Sequence, residues 1–96
     1  MKEYILDDLI NDNTRVLLIL YNNQVNVRDK NIIPLSQIDI AEETGFSKNK
    51  VYSIFSTLQK NNYIKTISKG KYQLTEKSNV IIKTLISADK KIKESN

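Results

Sequence analysis

The sequence predicts a mainly α-helical domain with a small β-hairpin, of the α+β class, and three observations carry that expectation. First, two short helical patterns meet at a single glycine, Gly45, within residues 36–64. Second, two strand-like runs, YIKTIS over 63–68 and KYQL over 71–74, flank a Lys69-Gly70 turn. Third, the final segment repeats apolar residues at Ile81, Leu85, Ala88 and Ile92, a 4-3-4 helical spacing with Ile82 and Ile86 beside it. The 96 residues are expected to make one domain with one modest core. Its parts are a helix over residues 1–12, a core over 14–74 and a helix over 75–94.

Composition removes several function classes. The chain has no cysteine and no histidine. Thiol nucleophiles and zinc–thiolate sites are therefore excluded, and the commonest general base and metal ligand are missing. Asp7/Asp8 and Glu42/Glu43 are adjacent pairs, and neighbours in a helix do not face each other. The expectation is no enzyme, no cofactor, no metal and no small-molecule effector. No run of about 18 apolar residues occurs and no signal-peptide core is present, so a cytoplasmic protein without a membrane partner is expected.

Charge is divided along the chain. Residues 1–46 carry four basic side chains against eight acidic ones, whereas residues 47–96 carry eleven lysines against Glu76, Asp89 and Glu94. Six of those lysines, and no acid, lie between Ser47 and Thr75. Such separation points to a polyanionic partner on one face.

The elements follow in order. Ile5, Leu6, Leu9 and Ile10 form the stripe of the amino-terminal helix, with acids in its first turns where the dipole favours them. Asn13 or Thr14 is expected to cap a second helix reaching Asn22, buried on several sides because Val16 to Tyr21 is apolar nearly all round. Residues 24–33 fit a small hairpin or a loop equally well, and Pro34 favours a short extended run over 32–35. Ser36 and Asp39 have capping-box spacing. Ile40, Ala41 and Thr44 face inward, Gly45 turns the chain with positive φ, and Phe46 plugs the turn. Ile38 lies about 200° around the wheel from Ile40 and is expected to meet the preceding loop or a partner chain.

Ser47 then caps a helix whose Val51, Ile54, Phe55 and Leu58 make an apolar stripe. Asn61-Asn62 end it, asparagine tolerating the left-handed region. Gly70 is expected to close the hairpin as a type I turn with a bulge, and Thr75 to cap the last helix. That helix carries a stripe wide enough for part of it, Ile81, Leu85, Ala88 and Ile92, to pack on a second copy.

This order of elements is that of a winged helix-turn-helix. The sequence resembles small bacterial winged-helix regulators of the MarR, ArsR and PadR kind, whose SxxTVSxxLxxLxxxGLI pattern falls without gaps on residues 47–64. Among the departures from it, Lys50 stands for Thr, Tyr52 for Ser and Asn62 for Gly. The LTxxG that follows the wing appears as residues 74–78, LTEKS. Residues 29–47, DKNIIPLSQIDIAEETGFS, also look like the winged-helix region of plasmid and phage replication initiators of the RepL kind.

The resemblance implies which side chains meet DNA. Ser47, Lys48, Asn49, Lys50, Tyr52, Ser53 and Ser56 would face the major groove, lysine donating to guanine and asparagine pairing with adenine. Lys65, Lys69 and Lys71 on the wing would track phosphates, with Gln37 and Lys60 as backbone clamps. The leading expectation is a homodimeric, nucleoid-associated regulator of transcription that binds double-stranded DNA. The alternatives are replication initiation or partition on a plasmid or phage, and a winged helix used only for protein interaction.

Overall fold

A computed structural model describes residues 11–95, and residues 1–10, where the amino-terminal helix is expected, lie outside them. The elements are α1 (Asp12–Asn22), β1 (Val25–Val27), β2 (Lys30–Ile32), α2 (Gln37–Thr44), α3 (Lys48–Lys60), β3 (Ile64–Ser68), β4 (Lys71–Leu74) and α4 (Glu76–Ser95). This is the expected α+β winged helix, with a second hairpin added between the first two helices.

The start of α1 differs from the sequence reading. Asn11, not Asn13 or Thr14, is the cap, its Oδ1 accepting from the Thr14 amide at 2.9 Å and the Thr14 hydroxyl at 3.0 Å. Thr14 is thus spent inside the first turn, and Asp12 takes the position the helix dipole favours. Val16, Leu17, Leu18 and Leu20 are buried, which makes α1 the central helix.

Residues 25–32 form a hairpin. Val25 pairs with Ile32 and Val27 with Lys30, about a two-residue turn in which Arg28 (φ 51°) and Asp29 (φ 66°) both lie in the left-handed region. Positive φ at both turn positions matches the twist of the flanking strands. Ile33 continues from β2 and exchanges two backbone hydrogen bonds with Tyr72 of β4, at 2.8 and 3.1 Å. The first hairpin is thereby sewn to the wing.

The helix-turn-helix follows its expected chemistry closely. Ser36 Oγ accepts from the Asp39 amide and Asp39 Oδ2 accepts from the Ser36 amide at 2.8 Å, a complete capping box. Thr44 Oγ1 donates to the Ile40 carbonyl and accepts from the Phe46 amide, so one side chain carries the chain around Gly45, whose φ is 78°. Ile40 is fully buried, and Ala41 and Phe46 pack at the edge of the core. In α3 the stripe Val51, Ile54, Phe55 and Leu58 is buried, and Ser47 caps its start, accepting from the Lys50 amide at 3.1 Å. Phe55 meets Tyr72 edge to face, ring centroids 5.0 Å apart.

Beyond α3, Asn62 takes φ 62° as expected of a left-handed asparagine. The β3–β4 ladder skips a residue between Thr66 and Ser68, the expected bulge, and Gly70 turns at φ 75°. The start of α4 is tied to this region by side chains. Thr75 Oγ1 donates to the Asn62 carbonyl at 2.7 Å, and the buried Ser78 hydroxyl donates to the Tyr63 carbonyl. Lys77 Nζ donates to the Asn61 carbonyl at 2.6 Å and lies 4.1 Å from the Tyr63 ring centroid.

The apolar stripe of α4 divides between two directions. Ile82 is fully buried, and Leu85 and Ile86 pack against the chain's own core. Val80, Ile81 and Ile92 are exposed, and Ala88 is half-buried. Among the described residues no helix is long and apolar enough to cross a membrane.

Two stability outcomes follow. A Cβ at Gly45 meets nothing within 4 Å, so Gly45→Ala carries only the left-handed backbone cost of about 1–2 kcal/mol. Thermal unfolding followed by circular dichroism should show a drop of roughly 4–16 °C, with Gly45→Asn dropping less. Ser78→Ala removes a buried donor from a carbonyl still served by Thr75, and should cost about 1 kcal/mol by denaturant titration.

Candidate nucleic-acid interface

The exposed side of α3 is built by elimination. With Val51, Ile54, Phe55 and Leu58 turned into the core, the opposite face carries Lys48, Asn49, Tyr52, Ser53 and Ser56, all exposed. Ser47 begins this face, but its oxygen is engaged as the helix cap. At the amino end of α3 the face continues onto α2, where Gln37 and Ile38 line a shallow cleft with Lys48, Asn49 and Tyr52. At the other end Gln59 Nε2 donates to Thr66 Oγ1 at 2.8 Å, joining α3 to the first wing strand. The surface therefore runs without a break from the start of α2, across α3, to the wing.

Lys50 stands apart from the other expected groove residues. It is two residues from Tyr52, nearly opposite around the helix at about 100° per residue. Its Nζ lies 2.7 Å from Asp12 Oδ2 and 4.1 Å from the Phe46 ring centroid. The ammonium thus braces α3 against the start of α1 and covers the turn residue. Both partners are about half-exposed, so the pair contributes no more than about 1 kcal/mol to stability.

The lysines of the wing are all exposed, Lys65 on β3 and Lys69 and Lys71 flanking the tip, and Lys60 is exposed in the last turn of α3. No acid interrupts residues 47–75. The acids of α2, Asp39, Glu42 and Glu43, line a separate groove with Asn23 and Leu35. Among the described residues these three acids are collected away from the wing lysines, which lowers the cost of bringing a polyanion there.

Three features escaped the sequence reading, and a fourth, Ile38, was set apart by it. Ile38 is expected to meet a loop or a partner chain, and within this chain it is 55% exposed beside Tyr52, itself 65% exposed. Its position off the core face was the signal. Gln59 lies on the same helix face but its bond to Thr66 depends on the strand register. Arg28 and Lys30 line a groove with Lys65 and Ile67, bringing two further cations to the wing side. They became visible only once residues 25–32 proved to be a hairpin. Lys77, finally, is committed to the end of α3.

The four residues expected at a subunit contact differ in exposure along α4. Ile81 and Ile92 are outward, whereas Leu85 and Ala88 are half-covered by the chain itself. Ile81 and Leu85 also border a cleft with Leu17, Leu58 and Tyr63.

Comparison with known proteins returned one finding. A family model described as Firmicute plasmid replication protein (RepL) matches residues 3–94. No curated protein and no solved structure matches. The match covers the helix-turn-helix, the wing and the last helix together, and agrees with the resemblance carried by residues 29–47. The chain belongs to the RepL family of Firmicute plasmid replication proteins.

Proposed function

We propose that this chain starts or supports plasmid replication by binding a specific double-stranded DNA site as a homodimer. The observation that carries the DNA reading is the continuous surface from Gln37 across α3 to Lys65, Lys69 and Lys71, whose segment from Ser47 to Thr75 holds no acid. The family supports replication over transcription as its use. On this reading α3 enters the major groove through Lys48, Asn49, Tyr52, Ser53 and Ser56. Lys60, Lys65, Lys69 and Lys71 hold the phosphates on either side. Lys50 positions α3 and does not read bases. The chain performs no chemistry of its own and acts by marking the site for other machinery.

The job is separated from its rivals by where the protein binds. Mapping of bound DNA in a host that carries the replicon should place the protein within the plasmid's own replication region, with loss of plasmid maintenance in Asn49→Ala. Binding spread over promoters would return the reading to transcription. No DNA binding at low salt would leave an interaction module.

The phosphate contacts set a salt dependence. About five neutralised phosphates per half-site give a slope of about −4.5 in log affinity against log salt. Each of Lys65→Ala and Lys71→Ala should reduce that slope by about one. Lys50→Ala should leave it unchanged, because its charge is spent on Asp12.

Homodimerisation is assigned to the outward part of α4. Ile81→Lys together with Ile92→Lys should yield monomers in analytical ultracentrifugation at a nearly unchanged melting temperature, both residues being more than a third exposed. A persisting dimer would move the interface elsewhere.

A further inference from the structure

We propose that Ile38 and Tyr52 form a seat for the 5-methyl group of a thymine, making the junction of α2 and α3 a reader of A·T base pairs. The inference deepens the DNA-binding reading above and rests on it. Single exposed apolar side chains are ordinary. These two are different because they lie together, 55% and 65% exposed, in one cleft on a face whose other members are polar.

The composition of that cleft matches one base pair. In the major groove an A·T pair shows adenine N7 and N6, thymine O4 and one methyl group, the only apolar feature any base pair offers there. Gln37 and Asn49 supply the amides that bond adenine N6 and N7, and Lys48 supplies a donor for a neighbouring acceptor. The isoleucine side chain and the tyrosine ring supply hydrocarbon for the methyl. A guanine or cytosine edge would leave that hydrocarbon facing a polar group or water. Ile38 occupies the second position of α2, whose start is held rigidly by the Ser36–Asp39 capping box, so the seat is preformed.

The position explains why Ile38 fits neither the core nor the first hairpin. It also separates two tasks on α3. The amino-terminal third reads base edges with help from α2, and the carboxyl-terminal third is tied to the wing through Gln59.

The test uses the full chain and a duplex recovered from a randomised library by repeated selection. Each thymine is replaced singly by deoxyuridine, which deletes the methyl and keeps every hydrogen-bonding group. At least one position per half-site should lose about fourfold in affinity, the worth of one buried methyl-sized group. Ile38→Ala should bind the thymine and uracil duplexes equally, while Ile38→Val keeps most of the difference. Both variants should melt with the native chain. Equal binding of thymine and uracil at every position by the unaltered chain overturns the seat and leaves DNA recognition standing. Retention of the full difference in both Ile38→Ala and Tyr52→Ala overturns it also. Recovery of no preferred sequence at all overturns the DNA-binding reading together with the seat.

Discussion

A pair of backbone hydrogen bonds between Ile33 and Tyr72 joins the two hairpins that flank the helix-turn-helix, and Tyr72 carries that joint on to α3. Two-stranded hairpins are marginal in isolation and gain stability only when a third strand or a helix covers them. The Ile33–Tyr72 bridge joins the hairpin before α2 to the hairpin after α3, so the two hairpins that bracket the helix-turn-helix in sequence meet in space. Tyr72 also sets its ring edge to face against Phe55, the largest buried side chain of α3. One residue therefore fixes α3 by its ring and the first hairpin by its backbone. The capping box, the Gly45 turn and the Gln59–Thr66 bond refine an arrangement that this residue sets.

On that frame the chain sorts its charges by element. Lysines with no acid between them in sequence occupy α3 and the wing, and α2 holds Asp39, Glu42 and Glu43 in a groove of their own. Asp12 meets α3 through Lys50 on the flank turned towards α1. Membership of the RepL family ties the chain that bears this surface to plasmid replication.

Most of the fold was legible because its local signals agreed with one another. Ser36 with Asp39, Thr44 with Gly45, Ser47, Asn62 and the 51-54-55-58 stripe each specify their geometry within a few residues. The features that were not legible depend on non-local contacts or on weak local chemistry. The turn at Arg28-Asp29 lacks the glycine that usually marks it, so only the pairing of β1 with β2 revealed the first hairpin. Asn11 could be assigned as a cap only by seeing which oxygen reached Thr14. In the interface, the exposed face of α3 was readable from periodicity. The departure of Lys50 to Asp12 was not, because α1 lies 26 or more residues from α3 in sequence and no pattern links them. Ile38 was recognised as an exception, and its neighbour Tyr52 was not.

The carbonyl end of α3 has an electrostatic consequence of its own. A helix of this length gathers about half a negative charge at its last turn, directed at anything lying along it. Left bare, that pole would repel a phosphate backbone approaching the wing. Lys77 reaches back from α4 to the Asn61 carbonyl, and Lys60 stands in the same last turn. The two cations cancel the pole, while the positive pole at Ser47 remains uncovered by acids within α3. The exposed face of α3 thus runs between a positive amino end and a carbonyl end that two lysines, one of them from α4, offset.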